Sequence, residues 1–245
     1  MIERYGDIFV VRDDLLPGGS KSRFVPYIIP DGTTEIVYGA PFCGGAPVAI
    51  AVEGQRRGIP VTIFYAQRKE LTPRQKRVAG LGARLELITP GYMTVVQARA
   101  RAYAAERGAT FLPLGIDLPE AQDPFVEAIR GVVAGLEPSE VWCATGSGML
   151  ARCLALALPK SQVKAVAVGL ASRWQLQMVN RSRLLPDHRV FPPNVEVIQS
   201  SLRFERKIQW KAPFDSCDHY DRKAWAICVN QAKPGALMWN VMGTE

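Results

Sequence analysis

Lys21 follows two glycines and a serine in the run Val10-Val11-Arg12-Asp13-Asp14-Leu15-Leu16-Pro17-Gly18-Gly19-Ser20-Lys21-Ser22-Arg23, where an apolar strand gives way to a turn. A lysine amine taken out of water attacks carbonyl carbon, and burial or a cationic neighbour lowers its pKa far enough to allow an imine. The plainer reading is a turn carrying a solvated lysine. A second spacing, Ala144-Thr145-Gly146-Ser147-Gly148, stands between an apolar strand and an apolar helix. Glycines there let successive N–H groups point inward, and the helix start adds partial positive charge, so an anion such as a phosphate fits. Taken alone, the same residues also make an ordinary tight βα turn. With His188 and His219 the only histidines and no paired Cys/His spacing, no metal site is expected.

These residues need elements to hold them, and the chain alternates strand and helix almost throughout. Strands are expected at residues 8–11, 35–39, 61–65, 84–88, 110–113, 140–144 and 163–168. Between them, helices are expected at 46–57, 73–80, 93–107, 125–135 and 149–158, with Gly58 as the stop of the first. Such alternation implies parallel sheets covered by helices. No internal repeat or low-complexity linker interrupts it.

The segment around Lys21, with Arg12-Asp13-Asp14-Leu15 before it, resembles the cofactor-carrying segment of the fold-type II pyridoxal phosphate enzymes, the tryptophan synthase beta superfamily. Within them it is most similar to the aminocyclopropane-carboxylate deaminase and cysteine desulfhydrase branch. Thr145-Gly146-Ser147-Gly148 resembles that family's phosphate cup, and Phe42-Cys43-Gly44-Gly45-Ala46 is similar to its loop that meets the substrate carboxylate and the cofactor. Thr72 to Arg77 and Leu81-Gly82-Ala83-Arg84-Leu85 look like the family's following helix and turn. Asp218 to Trp225 resembles a segment of the deaminase branch with a tyrosine near the cofactor, here Tyr220, and Leu237 to Gly243 matches the last strand in outline.

The resemblance implies that Lys21 anchors pyridoxal 5'-phosphate and shuttles a proton, and that Thr145, Gly146, Ser147 and Gly148 hold its phosphate. It further implies that Cys43, Gly44, Gly45 and Ala46 face the substrate, Gly45 the cofactor as well, and that Tyr220 is a second acid or base. From the residues alone, Cys43 reads equally as a small buried residue and Tyr220 as a packed aromatic. Asp13 and Asp14 read as fixing their loop through backbone N–H groups or Arg23. Two departures stand out. Gly45 replaces a family asparagine, and Val241 falls where the deaminase branch bonds the pyridine nitrogen, which leaves Asn240 as the substitute.

The expected fold is therefore α/β, with two lobes of parallel sheet, helices on both faces and the cofactor in the cleft between. A smaller lobe would span residues 37–125, and a larger cofactor-binding lobe residues 1–36 plus 126–245. The family implies a homodimer. The chain is shortened, mainly between Val168 and Asp215.

Composition bounds the function classes. With 48% hydrophobic and 22% charged residues the chain reads as globular, and no apolar run approaches the roughly 20 residues of a membrane helix. Five cysteines without a C-x-x-C pair, and no signal-like amino terminus, point to a reducing cytoplasm. The net charge of +7 favours polyanion contact. Its focus is residues 173–211, where Arg173, Arg181, Arg183, Arg189, Arg203, Arg206, Lys207 and Lys211 interleave with Trp174, Phe191, Phe204 and Trp210. That mixture serves phosphate contact and base stacking, or else forms a surface loop with buried aromatics.

Three functional readings follow. The first is a pyridoxal phosphate enzyme acting at the α-carbon of an amine or amino acid, by lyase, deaminase or decarboxylase chemistry, with the amino acid free or borne on modified nucleic acid as in phage DNA hypermodification. The second is a non-catalytic descendant of that fold binding nucleic acid or a partner. The third is a phosphoribosyltransferase whose Asp13-Asp14 and Gly18-Gly19-Ser20 hold a diphosphate and ribose, although only a dozen residues precede the acidic pair, too few for earlier βα units.

Overall fold

The computed structural model describes residues 1–168, 190–202 and 204–244. The chain divides into two compact units, one made of residues 1–16 and 122–244, the other of residues 17–121.

The first unit is built on six strands: β1 (Ile2–Tyr5), β2 (Ile8–Arg12), β7 (Glu140–Thr145), β8 (Gln162–Ala167), β9 (Val195–Gln199) and β10 (Leu237–Asn240). They form one sheet in the order β1-β2-β10-β7-β8-β9. All pair parallel except β1, which closes the edge as an antiparallel hairpin with β2. Three helices accompany them: α5 (Gln122–Val132), α6 (Met149–Ala157) and α7 (Asp221–Gln231). Helix α6 packs on β7 and β8, while α7 packs on β7 and β10. The central strand β7 is buried at every position, as expected for a parallel strand with neighbours on both sides. The core of this unit includes Val10, Trp142, Val166, Trp225 and Met238, with Phe214 edge-on to Trp225 at 5.0 Å.

The second unit comprises β3 (Ile36–Ala40), β4 (Val61–Ala66), β5 (Arg84–Ile88) and β6 (Thr110–Leu112), with α1 (Val25–Ile28), α2 (Ala46–Arg57), α3 (Pro73–Gly80) and α4 (Met93–Arg107). Its four strands make a wholly parallel sheet in the order β5-β4-β3-β6. Helix α4 sets Val96, Ala100 and Ala104, spaced four apart, against Val37 and Phe64, so one face is buried while its arginines stay in water. Helix α3 begins with a complete capping box, Thr72 accepting from the Gln75 N–H and Gln75 accepting from the Thr72 N–H.

The α/β class with parallel sheets flanked by helices is as expected. The division point differs from the sequence reading, which grouped residues 17–36 with the larger unit. They pack instead with the smaller one, because the 3-10 turn Gly19–Arg23 and α1 both lie against α2. Helix α5 begins at Gln122 rather than Phe125, taking Asp123 and Pro124 into its first turn. A proline so near the start costs no hydrogen bond, since first-turn N–H groups have no intrahelical acceptor.

Candidate functional site

In the second unit, Lys21 sits in the 3-10 turn Gly19–Arg23, half-buried, with its amine donating to the Gly115 carbonyl oxygen. The Phe24 ring lies 5.2 Å from the same amine, a cation–π distance. Gly115 is itself fixed, because its N–H donates to the Tyr38 hydroxyl at 3.2 Å. Burial pushes that hydroxyl up to about 12, so Tyr38 is a neutral acceptor at any physiological pH. The approach of the lysine turn to α2 explains Gly18: a Cβ there would lie 2.4 Å from the Ala49 Cα, and only glycine fits.

The loop Cys43-Gly44-Gly45-Ala46 leads into α2 in the same unit, with Cys43 and Ala46 buried. Helix α3 holds it. Arg74 donates to the Cys43 carbonyl at 3.0 Å and Thr72 Oγ1 to the Phe42 carbonyl at 3.3 Å. Gly45 is the N-cap of α2 and offers no side-chain cap, so this helix start presents only backbone.

In the first unit, Thr145 ends β7, and Gly146, Ser147 and Gly148 form the turn into α6. Gly148 lies at φ 90°, and a Cβ on it would meet the Arg152 guanidinium and the Phe191 ring, each at 3.1 Å. A larger residue would therefore be strained as well as crowded. Tyr220, the residue before α7, brings its hydroxyl to the Gly146 backbone N–H. Burial pushes that hydroxyl well above its ordinary value, the neighbouring Asp221 adds to the effect, and the Gly146 N–H opposes it. Tyr220 therefore keeps its proton and can serve as an acid, but not as a phenolate base.

Asn240 ends β10, fully buried, in register with Arg12 on β2. On the other side Trp239 pairs with Cys143, which sets Asn240 beside the last residues of β7. The carboxyl ends of β2, β10 and β7 thus carry Asp13 and Asp14, Asn240, and the Thr145–Gly148 turn side by side, the end of a parallel sheet where ligands bind. Asn240 Nδ2 donates to Asp14 Oδ1 and to the Asp215 carbonyl, each at 2.8 Å. Arg12 in turn grips Asp14 with two hydrogen bonds, at 2.9 and 2.7 Å, and reaches Glu3 and Tyr5. Asp13 accepts from the Trp239 indole at 2.9 Å. The acidic pair thus ties the first turn to the last strand.

Three polar atoms in this region have no hydrogen-bond partner among the described residues, although all are buried: Thr145 Oγ1, Ser216 Oγ and Asn240 Oδ1. A buried polar atom left so costs about 1–3 kcal/mol. Ser216 is tied to the same place, because Asp215 before it accepts from Asn240 and Cys217 after it donates to the Met242 carbonyl. Unsatisfied polar atoms gathered at the carboxyl ends of two parallel strands, beside a glycine turn opening a helix, fit a polar, anion-bearing ligand. The Thr145–Gly148 turn opening α6 suits the phosphate of such a ligand.

The structure thus gathers Thr145, Gly146, Ser147, Gly148, Tyr220 and Asn240 in one unit, and Lys21, Cys43, Gly44, Gly45 and Ala46 in the other. Tyr38, Gly115, Ser216 and the Arg12–Asp14–Asn240 connection are additions that the sequence did not signal. Of the basic segment, Arg173, Trp174, Arg181, Arg183, Arg189 and Arg203 lie outside the described residues. Within them, Arg206, Lys211 and Trp210 are exposed, Lys207 pairs with Asp218 at 3.1 Å, and Phe191 is buried against the glycine turn. No group of three potential ligands that could hold a metal, and no helix long and apolar enough to cross a membrane, occurs among the described residues.

No family model matches the chain, and no curated protein sequence does. Solved structures do. An aminocyclopropane-carboxylate (ACC) deaminase homologue superposes with a TM-score of 0.79 at 17% identity, over 96% of this chain and 84% of that one. A threonine deaminase from T.th. gives 0.71 at 15%, over 99% and 91%. A pyridoxal 5'-phosphate-dependent aspartate racemase gives 0.68 at 12%, over 96% and 83%. At these identities the likeness shows the fold alone: two-unit α/β architecture shared with these three proteins.

Proposed function

We propose that the chain binds pyridoxal 5'-phosphate and acts at the α-carbon of an amine or amino acid, by lyase, deaminase or decarboxylase chemistry. The observation that carries this reading is the Thr145–Gly148 turn, with its unsatisfied Thr145 hydroxyl and its positive-φ Gly148 at the start of α6. The folds of deaminases, a racemase and an ammonia lyase support it.

When bound, pyridoxal phosphate supplies an electron sink for charge left at the substrate α-carbon. The chain's own residues do the rest. Backbone N–H groups of the turn and the first turn of α6 bind the phosphate, and Thr145 Oγ1 donates to it. Lys21 is the amine that would hold the group, and it would move the proton at the substrate Cα. The Gly115 carbonyl and the Phe24 ring fix where that amine rests. Tyr220, protonated and bound at Gly146, donates a proton or a hydrogen bond. The Cys43–Ala46 loop is the proposed substrate face, and with Gly45 in place of asparagine it offers backbone and space rather than an amide. Asn240 is the proposed partner of the ring nitrogen.

A finer reading is that the amino acid is borne on nucleic acid. The +7 charge and the exposed Arg206, Lys211 and Trp210 support it. Substrate binding should then weaken steeply with salt, each phosphate contact contributing a slope of about one in log–log form. Salt-insensitive binding would remove this refinement and leave a free amino acid. The phosphoribosyltransferase reading loses its acidic pair, since Asp14 is engaged by Arg12 and Asn240 and Asp13 by Trp239.

An absorbance titration with pyridoxal phosphate, run in parallel on Lys21→Ala, tests the proposal. A new band near the visible edge that Lys21→Ala lacks is the expected result. A folded protein showing no band with either chain would instead support the non-catalytic descendant.

A further inference from the structure

Between residues 67 and 83 five cations, Arg68, Lys69, Arg74, Lys76 and Arg77, are opposed by a single acid, Glu70. Arg74 is buried and holds the Cys43 carbonyl, whereas the other four are exposed. Helix α3 explains two of them. It buries Arg74, Gln75 and Val78, so positions 73, 76, 77 and 80 form its solvent stripe and carry Lys76 and Arg77 outward. None of the four exposed cations has a carboxylate partner among the described residues, whereas Arg56, Arg57 and Arg84 of the same unit are matched to Glu53, Asp31 and Glu86. Unmatched like charges repel one another, and an arriving anion relieves that repulsion.

The neighbouring strand ends add aromatic faces. Arg68, two residues after β4, lies with its guanidinium 4.4 Å over the ring of Phe42, two residues after β3. The Gln67 N–H donates to the Ile88 carbonyl at 2.9 Å, and Gly91 is pressed so closely on Ala66 that a Cβ there would stand 2.8 Å from the alanine methyl. Tyr92, 72% exposed, therefore stands at the same end of the sheet. The carboxyl ends of β5, β4 and β3, neighbours in that order, thus present Tyr92, then Arg68 with Lys69, then Phe42. Phe42 runs directly into the Cys43–Ala46 loop, and Thr72 at the start of α3 bonds its carbonyl.

We infer that this edge of the second unit, with Arg68, Lys69, Lys76, Arg77 and Tyr92, is a docking surface for single-stranded nucleic acid. The inference rests on the reading that the substrate amino acid is borne on nucleic acid, and it names where the strand lies. Charge alone would suit any polyanion. A nucleic acid is singled out by the combination of unmatched cations with an exposed ring and with a guanidinium laid flat on Phe42, since bases stack on both. A single strand is singled out because duplex bases are already stacked on each other and offer no face to Tyr92. The adjoining loop gives the surface its use. A strand held by its phosphates along α3 and the end of β4 would bring a base-linked amino acid to Cys43–Ala46, where Gly44 and Gly45 have no side chains to obstruct it.

The test is fluorescence anisotropy of a labelled single strand of about 12 nucleotides, titrated with the full chain at several salt concentrations. Changing Arg68, Lys69, Lys76 and Arg77 together to Gln should reduce the log–log salt slope by about three, each single-strand phosphate contact contributing about 0.7. Tyr92→Ala should weaken binding about tenfold at every salt concentration and leave the slope as it was. Circular dichroism identifies a variant that fails to fold. Lys69→Glu with Lys76→Glu, whose side chains make no hydrogen bond among the described residues, then replaces the fourfold variant, and its slope should fall by at least about one. Affinity and slope unchanged in these variants overturn the inference. If they fall instead in Arg206→Gln with Lys211→Gln, the nucleic-acid reading survives with its docking surface on the other unit. Equal binding of polyglutamate of matched charge overturns the assignment to nucleic acid, and equal binding of a duplex overturns the assignment to a single strand. No binding of the strand even at low salt overturns the nucleic-acid reading and this inference together, while the pyridoxal phosphate titration reports separately on the cofactor.

Discussion

Lys21 owes its setting to residues far from it in sequence. Its amine rests on the carbonyl of Gly115, and Gly115 rests on Tyr38. Tyr38→Phe keeps the ring and removes only the acceptor of the Gly115 N–H, so it should cost about 1 kcal/mol of stability and weaken pyridoxal phosphate binding several-fold, with the far-ultraviolet spectrum unchanged. Unaltered affinity would show that the Gly115 turn does not position the amine. Gly18→Ala has no such subtlety. With its methyl placed 2.4 Å from the Ala49 backbone it must push the lysine turn off α2, and thermal unfolding should register a loss of about 1–3 kcal/mol. What the sequence displayed at this scale were groups whose chemistry is local, namely a lysine behind glycines and a glycine turn before a helix. It could not display Asp14 with Asn240, or Lys21 with Gly115, because those partners stand far apart in the chain and meet only once the sheets are assembled.

Among the elements, helices α2, α3 and α4 of the second unit were legible nearly to the residue, whereas the four-residue α1 was not. Gly58 and Gly108 end α2 and α4 in the left-handed conformation that glycine adopts readily, and the Thr72-to-Gln75 box marks the start of α3. Strand β1 was not legible, since a short edge strand needs only a partner and Ile2–Tyr5 carries no strong alternation. Strand β9 and helix α7 were missed because each is only partly apolar, β9 taking its place by pairing with β8 and α7 by packing on the sheet. The capping box gives α3 a second task, because Thr72 and Arg74 also hold the Phe42–Cys43 backbone. Thr72→Ala should lower stability by about 1 kcal/mol, measured by denaturant titration, and should raise substrate KM more than it changes cofactor affinity. An equal effect on both would mean that the Cys43–Ala46 loop does not meet substrate.

For the whole molecule, several buried groups bind their protons more tightly in the folded chain than in the unfolded one. Burial raises the Cys143 and Cys228 thiols, the Tyr220 hydroxyl, and that of Tyr38 to about 12. The stability they carry is complete below the unfolded-state values, about 8.5 for a thiol and about 10 for a phenol, and is lost as pH rises beyond them. Tyr38 alone accounts for a loss on the order of 2–3 kcal/mol between its unfolded value and about 12. Melting temperature should therefore fall progressively from about pH 9 upward, and Tyr38→Phe should flatten the decline above about pH 10. A melting temperature constant to strongly alkaline pH would contradict this account of the buried groups. The functional reading itself turns on one amine. The most direct measurement is borohydride reduction of the protein incubated with pyridoxal phosphate, followed by peptide mapping of the attached pyridoxyl group. A single labelled peptide is expected, the one containing Lys21. Label scattered over surface lysines, or concentrated on another residue, would contradict it.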